Sequence, residues 1–256
     1  MKRSRTTEQK IIAKVHKIRR DQPRVGGRKI LLDIQSDGIE IGRDRLFRIL
    51  RKYNLLVEKK RNYTRTTDSN HRFRKYANLV KGAYLTGPNQ VIVSDITYLR
   101  INNEFAYLSL VTDAWSRKIL GWDISTSLGV SGAIRALKMA LNNIPHPEGL
   151  IHHSDRGIQY CCKDYIQLLN DHNVLISMTE ENHCYENAIA ERINRTLKDE
   201  FLLNQTLSSF DFAKELTRDS INAYNYKRRH MSLDYQIPAD VHEMFSIKNC
   251  QPFSGR

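Results

Sequence analysis

A chain of 256 residues with 40% hydrophobic and 9% aromatic side chains can form one sizeable core and a smaller domain, which excludes a disordered protein. No apolar run reaches the roughly 18 residues of a membrane-spanning helix, and the first residues are charged where a secretory segment would be apolar. The four cysteines form no CxxC pair, and we interpret them as reduced thiols of a cytoplasmic protein.

The net charge of +13 is concentrated at the front of the chain. Residues 1–84 contain 24 Lys and Arg against 8 Asp and Glu, a balance of +16, whereas residues 85–256 contain 17 against 20, a balance of −3. This asymmetry indicates a polyanion-binding module joined to a nearly neutral core. DNA fits better than a membrane surface, because no long basic amphipathic helix carries Trp or Phe on its apolar face.

The front of the chain is predicted to form three short helices, over residues 6–20, 26–38 and 42–54, each with apolar side chains on one face. The last two are joined by a tight turn, and the second carries arginines, which is typical of a helix-turn-helix. We predict a DNA-binding helix-turn-helix domain over residues 1–58. The predicted DNA contacts of this domain are Arg43, Arg45, Arg48 and Lys52. The alternative is a plain three-helix bundle with a solvated basic face.

Residues 59–86 are basic, polar and poor in aliphatic side chains, with Tyr63, Phe73 and Tyr76 among them. Such rings can stack on bases or simply anchor a linker. We predict that this segment connects two domains and lies along DNA.

Residues 87–203 alternate between strand patterns and helix patterns. In chain order, the pattern predicts three antiparallel strands within 90–126, a helix over 128–143, a strand over 149–154, a helix over 158–173, a strand over 174–178 and a final amphipathic helix. The order βββαβαβα predicts a mixed α/β sheet of five strands with helices on both faces. Residues 204–256 are predicted to form a helical extension of this core.

Three acidic residues of the core are candidates for a metal site. Asp95 interrupts the apolar run VIVSDITYL, where an ionised carboxylate is unfavourable unless it is paired or binds a metal. Asp155 follows the strand GLIHHS, at the end where open α/β sheets place ligands, although it could be a turn residue that binds local backbone. Glu191 lies off the apolar row of its helix, with 35 residues between it and Asp155, and by itself would be a solvated side chain.

Phosphodiester chemistry gives these acids a common role. It needs an activated attacking oxygen and a stabilised leaving oxygen, and two Mg²⁺ ions about 3.5–4 Å apart provide both. Such hard cations prefer oxygen ligands. Without a cation, two carboxylates ~4 Å apart repel by about 4 kcal/mol at an effective dielectric near 20, so the cluster requires a bound cation or proton.

With Asp95, HHSDRGIQY, the 35-residue gap and NAIAERINRTLKDE, the sequence resembles the DDE transposases of bacterial insertion sequences. More narrowly, it resembles the second-frame (OrfB-type) transposases of the insertion sequence three family. Residues 24–58 are similar to the family's helix-turn-helix segment, and residues 90–203 to the RNase H-like core shared with retroviral integrases. The segment YNYKRRHMSLDYQIPADVH, residues 224–242, is similar to the family's closing motif. The chain departs from the family at EENHCYEN (180–187), in place of a more basic or Gly-rich loop, and at Arg229-His230, where Arg-Pro-His is common.

The resemblance implies a Mg²⁺-dependent transposase with an RNase H-like core, in which Asp95, Asp155 and Glu191 bind two ions, with Mn²⁺ as a substitute. A water-mediated nick at the end of the element frees a 3′-OH, and this hydroxyl attacks a second phosphodiester, forming a bridged circle. No covalent protein–DNA link is needed, so Tyr160 and Tyr185 are not nucleophiles.

The resemblance also assigns roles around the three acids. Residues expected to shape the site near Asp155 are His153, Ser154, Gln159 and Tyr160. On the helix of Glu191, Lys198 resembles the family's DNA-contacting basic residue, and Arg195 is a further predicted DNA contact. Asp113 also matches a family position, and we interpret it as a hairpin residue beside Ser116 and Arg117.

The expected partners are double-stranded DNA, as element ends and target, and further copies of the chain, because two ends must be recognised together. An upstream-frame helix-turn-helix protein, joined by frameshifting, is a further expected partner. Two other functions remain open: a DNA-binding regulator with an inactive core, and a structure-specific nuclease without strand transfer.

Overall fold

The computed structural model describes residues 2–58, 74–180 and 187–249, and the front of the chain is helical. The first three helices are α1 (Lys2–Asp21), α2 (Gly27–Ser36) and α3 (Arg43–Lys52). They share one core that includes Ile11, Ile30 and Leu46, which confirms the three predicted helices. The connection between α2 and α3, residues 37–42, is longer than the tight turn that we expected, because it also inserts Ile41 into this core.

The rest of the described chain forms an α/β core with two further helices. Its elements are β1 (Val91–Ile101), β2 (Glu104–Asp113), β3 (Ile119–Ser125), α4 (Val130–Asn142), β4 (Ile151–Ser154), α5 (Ile158–Cys161), α6 (Lys163–Asp171), β5 (Leu175–Met178), α7 (Ala188–Glu200), α8 (Phe210–Tyr226) and α9 (Pro238–Asn249). The strand order is β3-β2-β1-β4-β5. The first three strands pair antiparallel, and β4 pairs parallel with both β1 and β5, so the predicted mixed sheet is confirmed.

Helices cover both faces of this sheet, as predicted. On one face, α4, α5 and α6 pack on alternate residues of the strands, such as Ile92. On the other face, α7 and α8 pack on residues in the opposite phase, such as Leu99. Asp95 is in phase with Leu99 and therefore lies on the α7 side. Within the described residues, no helix is long and apolar enough to cross a membrane.

The single helix predicted over residues 158–173 is wrong, because Cys162 is extended (φ −66°, ψ 142°) and separates α5 from α6. Tyr160 and Tyr165 both pack beside the buried ring of His152, with centroids at 6.1 and 5.3 Å. On a continuous helix, side chains five positions apart would point about 140° away from each other. The break therefore allows both rings to fill the same part of the core.

Both outer strands of the sheet have hydrogen-bond partners from outside the sheet. At β5, the Met178 N–H donates to the Ala77 carbonyl (3.4 Å), and the Leu79 N–H donates to Ser177 Oγ (2.9 Å). At β3, the side-chain amide of Asn225 pairs with the N–H and the carbonyl of Ile119, both at 2.9 Å. The end of the predicted linker thus packs on the core here. Its residues 59–73, including Tyr63 and Phe73, lie outside the described residues.

Candidate active site

The register of the two central parallel strands brings Asp95 and Asp155 together. The pairing of β1 with β4 ends at Ser94 and Ser154, and each aspartate is the next residue of its chain segment. Adjacent strands lie about 4.8 Å apart, so the two aspartates follow side by side from the ends of this ladder. The edge at which β4 ends is therefore where the sheet presents its acids.

Two asparagine side chains attach α7 to β1 at the same place. The Asn187 amide donates to the carbonyl of Ser94 (3.1 Å), and the Asn194 amide donates to Oδ2 of Asp95 (2.8 Å). Glu191 lies four residues after the first asparagine and three before the second, so the three share one face of the helix. The pair of amides therefore holds Glu191 beside the two aspartates, with its side chain exposed.

The electrostatics of the site show that the three carboxylates repel one another. Burial and then the charge of Asp155 raise the pKa of Asp95 to about 7, against hydrogen bonds from Asn194 and from the Ile96 N–H. Burial and then Asp155 also raise the pKa of Glu191. The structure thus brings together the three acids that the sequence predicted.

The chemistry of this donor set fits a divalent cation. All three groups are oxygen donors, and a bound cation would offset the repulsion that raises the pKa of Asp95. In the described parts of the chain, however, no three Asp, Glu, His or Cys side chains are placed to hold an ion as they stand. Asp155 Oδ1 accepts a hydrogen bond from the Gly157 N–H at 2.9 Å.

Of the residues expected to shape the site, Tyr160 is the one whose contact with the acids is clear. Burial raises the pKa of Tyr160, and the charges of Asp95 and Asp155 raise it further, so its phenol stays protonated beside them. His153 is buried and shares a hydrogen bond with Ser177 (2.9 Å). Gln159 donates a hydrogen bond to the Leu128 carbonyl at 2.9 Å, and Ser154 is buried. Tyr185 and most of the loop 180–187 lie outside the described residues.

The two predicted DNA contacts on α7 differ in their surroundings. Lys198 Nζ lies 4.2 Å from the centroid of the Tyr98 ring. Burial lowers the pKa of Lys198, and the nearby charge of Asp95 opposes that shift, so the ammonium group adjoins the acids. Arg195 is exposed, with a weak contact of 3.4 Å to Asp199.

The predicted contacts on α3 are all exposed on the surface of the helical domain. Arg43 pairs with Asp44 and Lys52 pairs with Glu8, each at 2.9 Å. Exposed pairs of this kind are weak, so polyanions can compete for these cations.

Asp113 has the hairpin role that we assigned to it. It is fully buried and accepts hydrogen bonds from the N–H (2.6 Å) and the hydroxyl (2.7 Å) of Ser116 and from the N–H of Asn89 (2.8 Å). These bonds fix the turn between β2 and β3, away from the carboxylate cluster.

The asparagines Asn187 and Asn194 are functional residues that the sequence did not identify. In the sequence, the only feature that set them apart was their position off the apolar row of the helix, on the same side as Glu191. Amides on such a face are usually solvated, and here both are buried.

Comparison with known proteins agrees with this geometry. Residues 86–184 and residues 172–238 match two family models that are each described as an integrase core domain. The chain is 35% identical over 222 residues to the insertion element IS600 uncharacterized 31 kDa protein of Shigella sonnei, covering 86% of this chain and 82% of that protein. It is 32% identical over 213 residues to the transposase InsF for insertion sequence IS3A of Escherichia coli strain K12, covering 82% and 74%.

Among solved structures, the simian T-cell lymphotropic virus intasome in complex with PP2A regulatory subunit B56 gamma aligns with a TM-score of 0.53. The identity is 16%, and the alignment covers 91% of this chain and 73% of that chain, which shows a shared fold. The RNase H-like architecture expected from the resemblance is therefore confirmed. Because the relatives span most of the chain at more than 30% identity, the chain belongs to the insertion sequence three family of transposases with an integrase core domain.

Proposed function

We propose that the chain is the transposase of a bacterial insertion sequence, which binds the ends of its element and then nicks and joins DNA strands. The observation that carries this proposal is the convergence of Asp95, Asp155 and Glu191 at one edge of an integrase core. In this proposal, residues 1–58 bind DNA, 59–86 form a linker, 87–203 are the catalytic core, and 204–256 are its helical extension.

The three carboxylates are the proposed ligands of two Mg²⁺ ions, with Mn²⁺ as a substitute. When bound, such ions supply Lewis-acid stabilisation of the attacking and leaving oxygens. Asn194 orients Asp95 through its 2.8 Å hydrogen bond, and the Ile96 N–H fixes the other carboxylate oxygen at 2.9 Å. These contacts fix the orientation of the first ligand, whereas Glu191 is exposed.

The basic residues of α7 are the proposed contacts to the DNA backbone next to the site. Lys198 lies two helical turns beyond Glu191, about 10 Å along the axis, and Arg195 lies between them on the exposed side. A DNA strand that crosses this helix can therefore place its phosphates near both the acids and Lys198. The ring of Tyr98 holds the ammonium group in place.

The proposed protein acts on two element ends as a homo-multimer. A fusion to an upstream-frame helix-turn-helix protein, and action on the nucleoid in the cytoplasm, belong to the same proposal. They are supported by the family resemblance rather than by a contact in this structure.

The variants Asp95→Asn, Asp155→Asn and Glu191→Gln test the proposed site. Each is expected to reduce nicking of a duplex element end by at least about 10³-fold, because groups that act as a unit fail together. Binding of the same duplex should stay within about threefold, a difference below 1 kcal/mol. The matched control is Asp171→Asn, which removes an exposed carboxylate on α6.

Precut ends distinguish the alternatives in the same assay. Joined products support a transposase, whereas cutting without joining identifies a structure-specific nuclease. A parent protein that binds ends but does not cut them in Mg²⁺ or Mn²⁺ identifies a regulator with an inactive core.

A further inference from the structure

Three consecutive basic residues in the closing motif have no role in the proposed chemistry, and each is paired with an acid. Lys227 Nζ lies 2.8 Å from Asp21 Oδ2, and Arg229 Nε lies 2.6 Å from Asp33 Oδ1. Arg228 donates two hydrogen bonds of 2.8 Å to the carboxylate of Glu200. Two of these acids belong to the helical domain, and the third ends the helix that carries Glu191.

Glu200 is the point where the three parts of the chain meet. Besides Arg228, its carboxylate accepts a hydrogen bond from Lys29 of α2 (3.0 Å), and its carbonyl accepts one from the Arg24 N–H (3.0 Å). Burial opposes ionisation of Glu200, but the cations Arg228 and Lys29 lower its pKa overall, so it is charged. A carboxylate at the C-terminal end of a helix opposes the helix dipole, so these cations are required to hold it there.

The pairs of Arg228 and Arg229 are largely shielded from solvent, whereas Lys227 and Asp21 are each about half exposed. Removing one partner of a shielded pair leaves an uncompensated charge, which is costly. The side chain of Arg228 is 7% exposed and lies over the ring of Tyr224. The Arg229 side chain also donates a hydrogen bond to Ser36 Oγ (2.7 Å). The side chains of Arg229 and Asp33 are each only about one-fifth exposed. The helical domain is therefore attached through α2, the end of α1 and the segment between them, which leaves the arginines of α3 exposed.

The attachment point is rigidly connected to the active site. Glu191 and Glu200 are nine residues apart on the same helix, a separation of about 13.5 Å along its axis. A domain attached to the end of α7 thus has a fixed distance and orientation relative to the carboxylates.

We propose that Lys227, Arg228 and Arg229 are positioning residues, which hold the helical domain so that a duplex bound by α3 presents one defined phosphodiester to the active site. This inference rests on the proposed function, and it assigns to the closing motif the choice of the cutting position. Their role is to hold parts of the chain together through ion pairs and not to contact DNA.

The pair Asp33 and Arg229 allows a charge-exchange test in the full chain, because partial exposure makes both tolerant of substitution. Asp33→Arg and Arg229→Asp each replace an attraction by a repulsion, and the double variant restores the attraction. We expect each single variant to bind the end duplex within about threefold of the parent. Nicking at the correct position should fall about 10- to 100-fold, because small misplacements of the reacting groups have effects of that size. Cuts should also appear at neighbouring positions.

The double variant should recover both the rate and the single cutting position, and the control Arg218→Asp, on the exposed face of α8, should keep them. Single variants that cut like the parent, or a double variant that is not rescued, would overturn the proposal.

A readout without catalysis separates this inference from the proposed function. In small-angle X-ray scattering, the single variants should have a larger radius of gyration than the parent, and the double variant should return to the parent value. If the parent cuts no DNA, the proposed function fails, and scattering alone decides whether these ion pairs hold the domain. Unchanged scattering in both single variants would then contradict the attachment.

Discussion

At the scale of single residues, amides as well as carboxylates determine the geometry of the site. Asp95 lies in a strand, and its ionised form is unfavourable there, which raises its pKa to about 7. The hydrogen bond from Asn194 works against that shift and selects one orientation of the carboxylate. In the proposed metal site, the orientation and the charge of Asp95 would therefore depend on a side chain that is not itself a proposed ligand.

We expect Asn194→Ala to raise the Mg²⁺ concentration that half-saturates nicking, or to lower the rate, by about 10- to 100-fold, because the residues that orient metal ligands have effects of this size. End binding should not change, since Asn194 is buried beside Asp95. A Mg²⁺ titration of nicking measures the effect. Asn142→Ala, an exposed position on α4, is the control, and a parent-like titration of Asn194→Ala would contradict the role.

The three acids could be predicted from the sequence, whereas the asparagines could not. An aspartate within VIVSDITYL conflicts with the surrounding apolar strand, and that conflict is visible in the sequence. An asparagine on a helix creates no such conflict, because it is equally compatible with solvent. Its role depends on a contact 99 positions away in the chain.

At the scale of elements, the close approach of β3 to α4 determines how tightly one face of the sheet is covered. Gly121 on β3 faces the backbone of α4. A Cβ atom at this position would lie 2.6 Å from the Ala140 nitrogen and closer still to the Ala136 carbonyl oxygen. Both are backbone atoms of a helix, which cannot move aside as a flexible side chain would.

Gly121→Ala is therefore expected to lower the free energy of unfolding by about 1–3 kcal/mol or more, as overpacking does in other cores. Chemical denaturation of the purified chain measures this change. Gly129→Ala, whose Cβ would meet only Ser127 Oγ at 3.4 Å, should change the stability much less. Equal free energies of unfolding in the two variants would show that α4 can move away from β3 without a loss of stability.

The strands and most helices of the core follow from the periodicity of the sequence, but the interruption at Cys162 does not. In the sequence, residues 158–173 look like one helix, because the segments on both sides of Cys162 are helical. The break places Tyr160 and Tyr165 around His152, a tertiary contact that the helical pattern does not contain.

At the scale of the whole molecule, the position of a basic residue in the fold decides whether its charge is available to DNA. The sequence localised the excess charge correctly to the front of the chain. It could not show that Lys227, Arg228 and Arg229 are neutralised by distant acids, because those acids lie 28 to 206 positions away.

The exposed arginines of α3 should therefore dominate the salt dependence of end binding. Arg45→Gln and Arg48→Gln are each expected to reduce the slope of log affinity against log salt concentration by about one, since each phosphate contact releases about one counterion. Fluorescence anisotropy with an end duplex at several salt concentrations measures the slope. Arg218→Gln should leave it unchanged, and unchanged slopes in both α3 variants would favour the plain three-helix bundle.

The partners of the two outer strands limit how copies of this chain can assemble. On β5, the Met178 N–H donates to the Ala77 carbonyl and Ser177 Oγ accepts from the Leu79 N–H, and on β3 the Asn225 amide takes both hydrogen-bonding groups of Ile119. An incoming strand would have to displace these bonds before it could lengthen the sheet. Assembly on two DNA ends would then join copies through helical surfaces or through the nucleic acid, without risk of open-ended strand addition at those positions.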